Sequence, residues 1–94
     1  MPALPEIQHL REARRFETTI EGHRSVCTYE LAGGAMVLTH TLVPPELRGR
    51  GVAEQLVRAA LAEARAQGWR VVPQCSYVAK FIARHAEFQD LLAG

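Results

Sequence analysis

The run Arg48-Gly49-Arg50-Gly51-Val52-Ala53 has the chemistry of an anion cradle. Gly49 and Gly51 carry no Cβ, so the backbone can take unusual dihedrals there and approach a ligand closely. A helix opening just after it would aim its unpaired N–H groups at that ligand, and phosphate or pyrophosphate is the natural guest. Cys75 stands between a short apolar run and a second helical segment. A helix N-terminus there can lower a thiol pKa from its ordinary value of about 8.5 and make the sulfur a nucleophile, the alternative being a small buried apolar residue. His40 is a side chain that can accept a proton near pH 7, or a satisfied core histidine; Tyr77 could donate a proton or simply pack.

Two phosphate-loop fingerprints are excluded. The Lys and Ser/Thr of the nucleoside-triphosphate loop are absent, and the dinucleotide fingerprint belongs after a first strand, with an acidic residue about 20 positions on. A nucleic-acid-binding arginine-glycine segment is disfavoured, because the two arginines have no aromatic partners.

These residues need elements to position them. Met1 to Pro5 read as a loose end and no signal peptide, and Glu6 to Leu10 as a short edge strand. Phe16, Thr18 and Ile20 alternate with polar residues, which predicts a strand ending at the turn Glu21-Gly22-His23. A second strand over Ser25 to Leu31 puts Cys27, Tyr29 and Leu31 on one face, and Ala32-Gly33-Gly34 turns the chain. The third, Ala35 to Val43, is expected to place Met36, Leu38, His40 and Leu42 on one side. Apolar residues at Val52, Leu56, Val57, Ala60, Leu61 and Ala64 predict a helix that stops at Gly68. Trp69 to Gln74 then forms a strand parallel to the third, Ser76 caps a second helix, and Glu87 to Leu92 packs over the sheet. The expected class is α+β: an antiparallel meander, a parallel β-α-β crossover and a closing helix.

A chain of 94 residues allows one domain, 1–94, with one core. Its net charge of +1 gives no bulk attraction to nucleic acid or to an anionic membrane. No apolar run approaches the roughly 20 residues that cross a bilayer. The expected location is cytoplasmic, where Cys27 and Cys75 stay free thiols, and neither has metal-type spacing, so no metal is assigned. His9 and His23 read as surface or turn residues, and His85 as a helix end.

The Arg-Gly-X-Gly-X-Ala turn, joined to Glu21-Gly22-His23, Tyr29, His40-Thr41-x-Val43-Pro44, Val71-x-Pro73-x-Cys75-Ser76-Tyr77-Val78 and His85, resembles the minimal, single-domain members of the GNAT superfamily of acyl-CoA N-acyltransferases. The resemblance covers roughly Phe16 to Leu92; Ala86 departs from the proline that often follows the histidine. It implies a GNAT-like mixed sheet and a site for acetyl-CoA or coenzyme A. The pyrophosphate would lie on the N–H groups of Gly49 to Ala53, Val52 included, with Arg48 and Arg50 adding charge. The backbone of Leu42 and Val43 would pair with the pantetheine amides like one more strand. It also implies acetyl transfer to an amine, on a small molecule or a protein, with His40 or water as base and Tyr77 protonating the departing thiolate, either directly or through an acetyl group carried on Cys75. Ordinary GNAT enzymes have helices between the first two strands that help wall the acceptor, and this chain has no such insertion. The alternative is therefore a CoA-binding module with little catalysis. A monomer or weak dimer is expected.

Overall fold

The computed structural model describes residues 6–93, so the expectations for Met1 to Pro5 lie outside the described residues. Five strands form one sheet in the order β1 (Gln8–Leu10), β2 (Arg15–Ile20), β3 (His23–Ala32), β4 (Ala35–Leu42) and β5 (Arg70–Pro73). The first three pairings are antiparallel and β4–β5 is parallel, joined through helix α1 (Val52–Gln67). Helix α2 (Ser76–Arg84) and a 3₁₀ segment, Ala86–Leu91, close the chain. The expected α+β arrangement is therefore present. Among the described residues no helix is long and apolar enough to cross a membrane.

Two of the three hairpins, β2–β3 and β3–β4, are tighter than their sequences suggest. Ile20 pairs with His23 and Ala32 with Ala35, leaving two-residue turns, Glu21-Gly22 and Gly33-Gly34. All four turn residues have positive φ, the geometry whose twist matches that of the flanking strands. At the other end of the chain, Leu92 bridges Val71 in parallel and the Ala93 N–H donates to the Val71 carbonyl at 3.0 Å, covering part of the outer edge of β5. Ser76 is not the cap of α2. Cys75 holds that place in an extended conformation, its carbonyl accepting from the Ala79 N–H at 3.1 Å, so Ser76 is the first helical residue.

The core lies on one face of the sheet. Phe16, Cys27, Tyr29, Met36, Leu38 and Val71 meet Leu56, Val57, Ala60, Leu61 and Ala64 of α1 and Val78, Phe81 and Ile82 of α2. Thr19, Arg24, Glu30 and His40 are exposed on the opposite face. Leu31, expected beside Cys27 and Tyr29, is 38% exposed at the hairpin end of β3.

One irregularity redirects the end of β4. Tyr29 pairs with Leu38 but Thr28 pairs with His40, so Thr39 is an extra residue, a β-bulge. Side chains alternate along a strand, and one inserted residue exchanges the faces beyond it. Met36 and Leu38 point into the core as expected. His40 and Leu42 do not: both are exposed, Leu42 by 65%, while Thr41 turns toward the helices and pairs with Cys27. The expectation of one continuous apolar face through Leu42 is thus corrected.

His9 also departs from a surface reading. It stacks on Phe16 at 4.1 Å between ring centroids, and its Nε2 lies 2.7 Å from the buried Tyr29 hydroxyl. Its Nδ1 has no hydrogen-bond partner among the described residues and stands 3.9 Å from the Glu63 carboxylate. Burial and the nearby Arg11 guanidinium hold its pKa below the ordinary 6.5, against the opposing pull of Glu63. The sign follows: between the lowered native value and 6.5 the unfolded chain binds more protons, so stability falls as pH drops below about 6.5. Urea midpoints measured from about pH 7.5 down to 5.5 should fall, and His9→Gln should flatten that slope. A wild-type midpoint that rises on acidification over this window refutes the assignment.

Candidate functional site

A cleft of about 270 Å³ opens at the start of α1, lined by Val43, Leu47, Arg48, Gly49, Gly51, Val52, Ala53, Glu54 and Tyr77. The chain enters it through a 3₁₀ turn, Pro45–Leu47, whose Leu47 side chain is fully buried and anchors the loop to the core. Gly51 is the N-cap, with φ 77°, and no side chain caps the helix. The first N–H groups of α1 therefore keep their hydrogen-bonding capacity and the positive end of the helix dipole faces the cleft. A Cβ placed on Gly51 would meet no atom within 4 Å. Space and free donors together fit a pyrophosphate.

Of the residues assigned to the cofactor from sequence, Val43, Arg48, Gly49, Gly51, Val52 and Ala53 line this cleft. Arg50 and Leu42 do not. Arg50 donates two hydrogen bonds to the Glu21 carboxylate, at 2.9 and 3.4 Å, and so ties the β2–β3 turn to the glycine-rich turn. His23 Nδ1 stands 3.8 Å from Glu46 in a second contact between the same two loops. The Glu21-Gly22-His23 motif thus braces the cradle, a role that spacing alone could not reveal. Glu54, also missed, puts a carboxylate in the cleft, but it accepts a hydrogen bond from Arg58 one turn along at 3.0 Å.

Cys75 is half-buried, and its backbone N–H donates to the Leu38 carbonyl at 2.9 Å, holding it against the bulged end of β4. Its thiol donates to the Thr41 hydroxyl at 3.6 Å, and that hydroxyl donates to the Cys27 sulfur at 3.9 Å. Burial is the largest single influence on the Cys75 thiol and raises its pKa. The Val78 N–H, the Thr41 hydroxyl, the Tyr77 N–H and the Thr41 backbone together outweigh it, and the thiol ends below its ordinary value of 9.0. No capping hydrogen bond of ordinary geometry forms at this N-terminus, so the helix acts on the sulfur through the orientation of its first N–H groups. Cys27, fully buried, goes the other way and is pushed up to about 11.

His40 lies across the sheet from these groups. It lines a second cleft, of about 340 Å³, with Arg14, Thr28, Glu30, Thr39 and Gln74. The core reading of His40 is corrected by the bulge, which exposes it. Tyr77 is 40% exposed in the first cleft, and its hydroxyl pKa is raised by burial and by the Glu54 carboxylate. Two of the three sequence-derived catalytic candidates therefore line different clefts, and Cys75 lines neither of the two. Tyr77 lines the first cleft and His40 the second, while Cys75 sits between Gln74 of the second and the helix that carries Tyr77. His85 is the C-cap of α2, its Nδ1 2.7 Å from the Phe81 carbonyl. Among the described residues no group of three His, Cys, Asp or Glu side chains could hold a metal ion.

Comparison with known proteins bears on this arrangement. Residues 15–91 match the family described as GCN5-related N-acetyl-transferase. Protein NATD1 of Bos taurus is 37% identical over 90 residues, covering 86% of this chain and 80% of its own. Protein NATD1 of Gallus gallus is 35% identical over 80 residues, covering 82% and 73%. A GCN5-like protein from Staphylococcus aureus, solved by NMR, superposes with a TM-score of 0.75 at 24% identity, covering 95% of this chain and 88% of that one.

Proposed function

This chain belongs to the GCN5-related N-acetyltransferase family, and from that premise we propose that it binds acetyl-CoA and transfers the acetyl group to an amine. The observation that carries the reading is the uncapped start of α1 opening on a cleft with Arg48 and Tyr77, next to a half-buried thiol of lowered pKa. In this reading the N–H groups from Gly49 to Ala53 hold the pyrophosphate, and Arg48 supplies the local positive charge. The Val43 backbone pairs with the pantetheine where β4 has left the sheet. Bound acetyl-CoA supplies a thioester, an acetyl group on a good leaving thiolate.

The chain's own groups then divide the work. Cys75, as thiolate, attacks the carbonyl carbon; a new carbon–sulfur bond forms, the old one breaks, and the Tyr77 hydroxyl gives its proton to the departing sulfur. An acceptor amine reaching the site from the exposed face then takes the acetyl group. The Cys75 thiolate is regenerated, the amine proton passes to water because His40 lies across the sheet, and solvent returns a proton to the Tyr77 phenolate. A direct route, in which the amine attacks the thioester without the cysteine, uses the same clefts. The acceptor is a small molecule or a protein amine, and we assign the work to a cytoplasmic monomer or weak dimer. A second reading, a CoA-binding module with little turnover, is favoured by the uncovered second face of the sheet, where a larger enzyme of this superfamily would wall its acceptor.

Thermal unfolding with and without acetyl-CoA tests binding. Ligand at 100 times its dissociation constant should add about 2.7 kcal/mol of stability and raise the melting temperature. No shift at millimolar ligand removes both readings. Intact-mass measurement after incubation should show one acetyl adduct that is lost in Cys75→Ala. An adduct surviving that change sinks the covalent route, and a Cys75-dependent adduct that no amine discharges favours the binding module.

A further inference from the structure

The bulge at Thr39 places a hydroxyl where two sulfurs can reach it. Thr41 pairs with Cys27 across the sheet and faces Cys75 from the other side, with oxygen–sulfur distances of 3.9 and 3.6 Å. A threonine hydroxyl has one proton to give and two lone pairs to offer, so it can donate to only one sulfur at a time. With both thiols protonated, Cys75 donates to Thr41 and Thr41 donates to Cys27. Once Cys75 loses its proton to solvent it can only accept, and the chain of donors has to reverse. The Thr41 hydroxyl then turns to Cys75, and the Cys27 S–H takes the lone pair that Thr41 has freed.

We infer that Thr41 is a positioning residue that stabilises Cys75 as a thiolate, with the buried Cys27 thiol as the donor behind it. The inference rests on the acetyl-transfer reading for its purpose and on the sulfur–hydroxyl geometry for its substance. The properties of Cys27 suit it to the role: a fully buried thiol whose pKa is about 11 stays protonated at neutral pH and remains a donor. The titratable surroundings of Cys75 are few. Cys27 faces it from β3, and Tyr77 belongs to its own helix, with Glu54 of α1 acting on Tyr77. His40, next to Thr41 in sequence, is on the opposite face. No charged side chain contributes to the lowering of the Cys75 thiol, so neutral donors account for it.

The test reads the thiol without acetyl-CoA. Alkylation of Cys75 by iodoacetamide, followed across pH by mass spectrometry of its peptide, reports the thiolate fraction. Thr41→Val should move the midpoint upward by about one unit and slow alkylation at neutral pH about tenfold. Thr41→Ser, which keeps the hydroxyl, should restore the wild-type midpoint, and Cys27→Ala should shift it upward by less than Thr41→Val. A Thr41→Val profile that superimposes on wild type, or a Thr41→Ser profile that follows Thr41→Val, overturns the inference. Failure of acetyl-CoA to bind would end the proposed function and leave this profile standing. An unchanged profile would end the inference and leave the proposed function standing.

Discussion

Gly51→Val will remove acetyl-CoA binding while leaving most of the sheet folded. Gly51 caps α1 with φ 77°, in the left-handed region, where a β-branched residue is strained by about 1–2 kcal/mol or more. That strain falls on stability alone. The loss of binding has another origin: the new side chain would occupy the open space over the first N–H groups of α1, where the pyrophosphate is proposed to lie. Affinity should fall by at least about tenfold, equivalent to ~1.4 kcal/mol. Gly33→Val is the control, since Gly33 has φ 56° in a hairpin turn remote from the cleft. It should destabilise similarly and bind normally. Titration calorimetry of both variants separates the effects, and wild-type affinity in Gly51→Val would place the nucleotide elsewhere.

Leu38→Ala should cost about 2–5 kcal/mol, whereas Leu42→Ala, four residues along the same strand, should cost under about 0.5 kcal/mol. By plain alternation the two share a face and ought to cost alike. The bulge separates them: Leu38 is fully buried against Tyr29 and Pro73, and Leu42 is 65% exposed. A domain of this size has only about 5–14 kcal/mol to lose, so Leu38→Ala should unfold at markedly lower urea. Equal urea midpoints for the two variants would mean that β4 runs straight and that His40 faces the core.

The contrast between Leu38 and Leu42 also marks where the sequence stops being readable. Alternation in β2 and β3, the glycines at the β2–β3 and β3–β4 hairpins and the 3.6-residue stripe of α1 are local signals, and each element formed where its signal lay. The cradle was readable for the same reason, because glycine-arginine chemistry directly ahead of a helix is a local pattern. The bulge was not, since Thr39 carries nothing that separates it from an ordinary strand residue and its register is set by the partner strand. The rest of β4 changes face in consequence, His40 and Leu42 turning outward and Thr41 toward the helices. Arg50 failed differently. Its charge was plain in the sequence, but the carboxylate that holds it, Glu21, is 29 residues away and meets it only in the folded chain.

The sheet keeps its strands in chain order, so every pairing but one is made by neighbours across a tight turn. The exception, β4 with β5, has to be closed over the long excursion that contains α1. Loop closure of that length is entropically costly beside two-residue turns, so the crossover is the least local step in assembling the molecule. Both ends of the proposed nucleotide notch, the start of α1 and the residues just past β5, belong to that step. Four strands zipped by hairpins would have no place for a nucleotide, because the notch exists only once the long connection has come home.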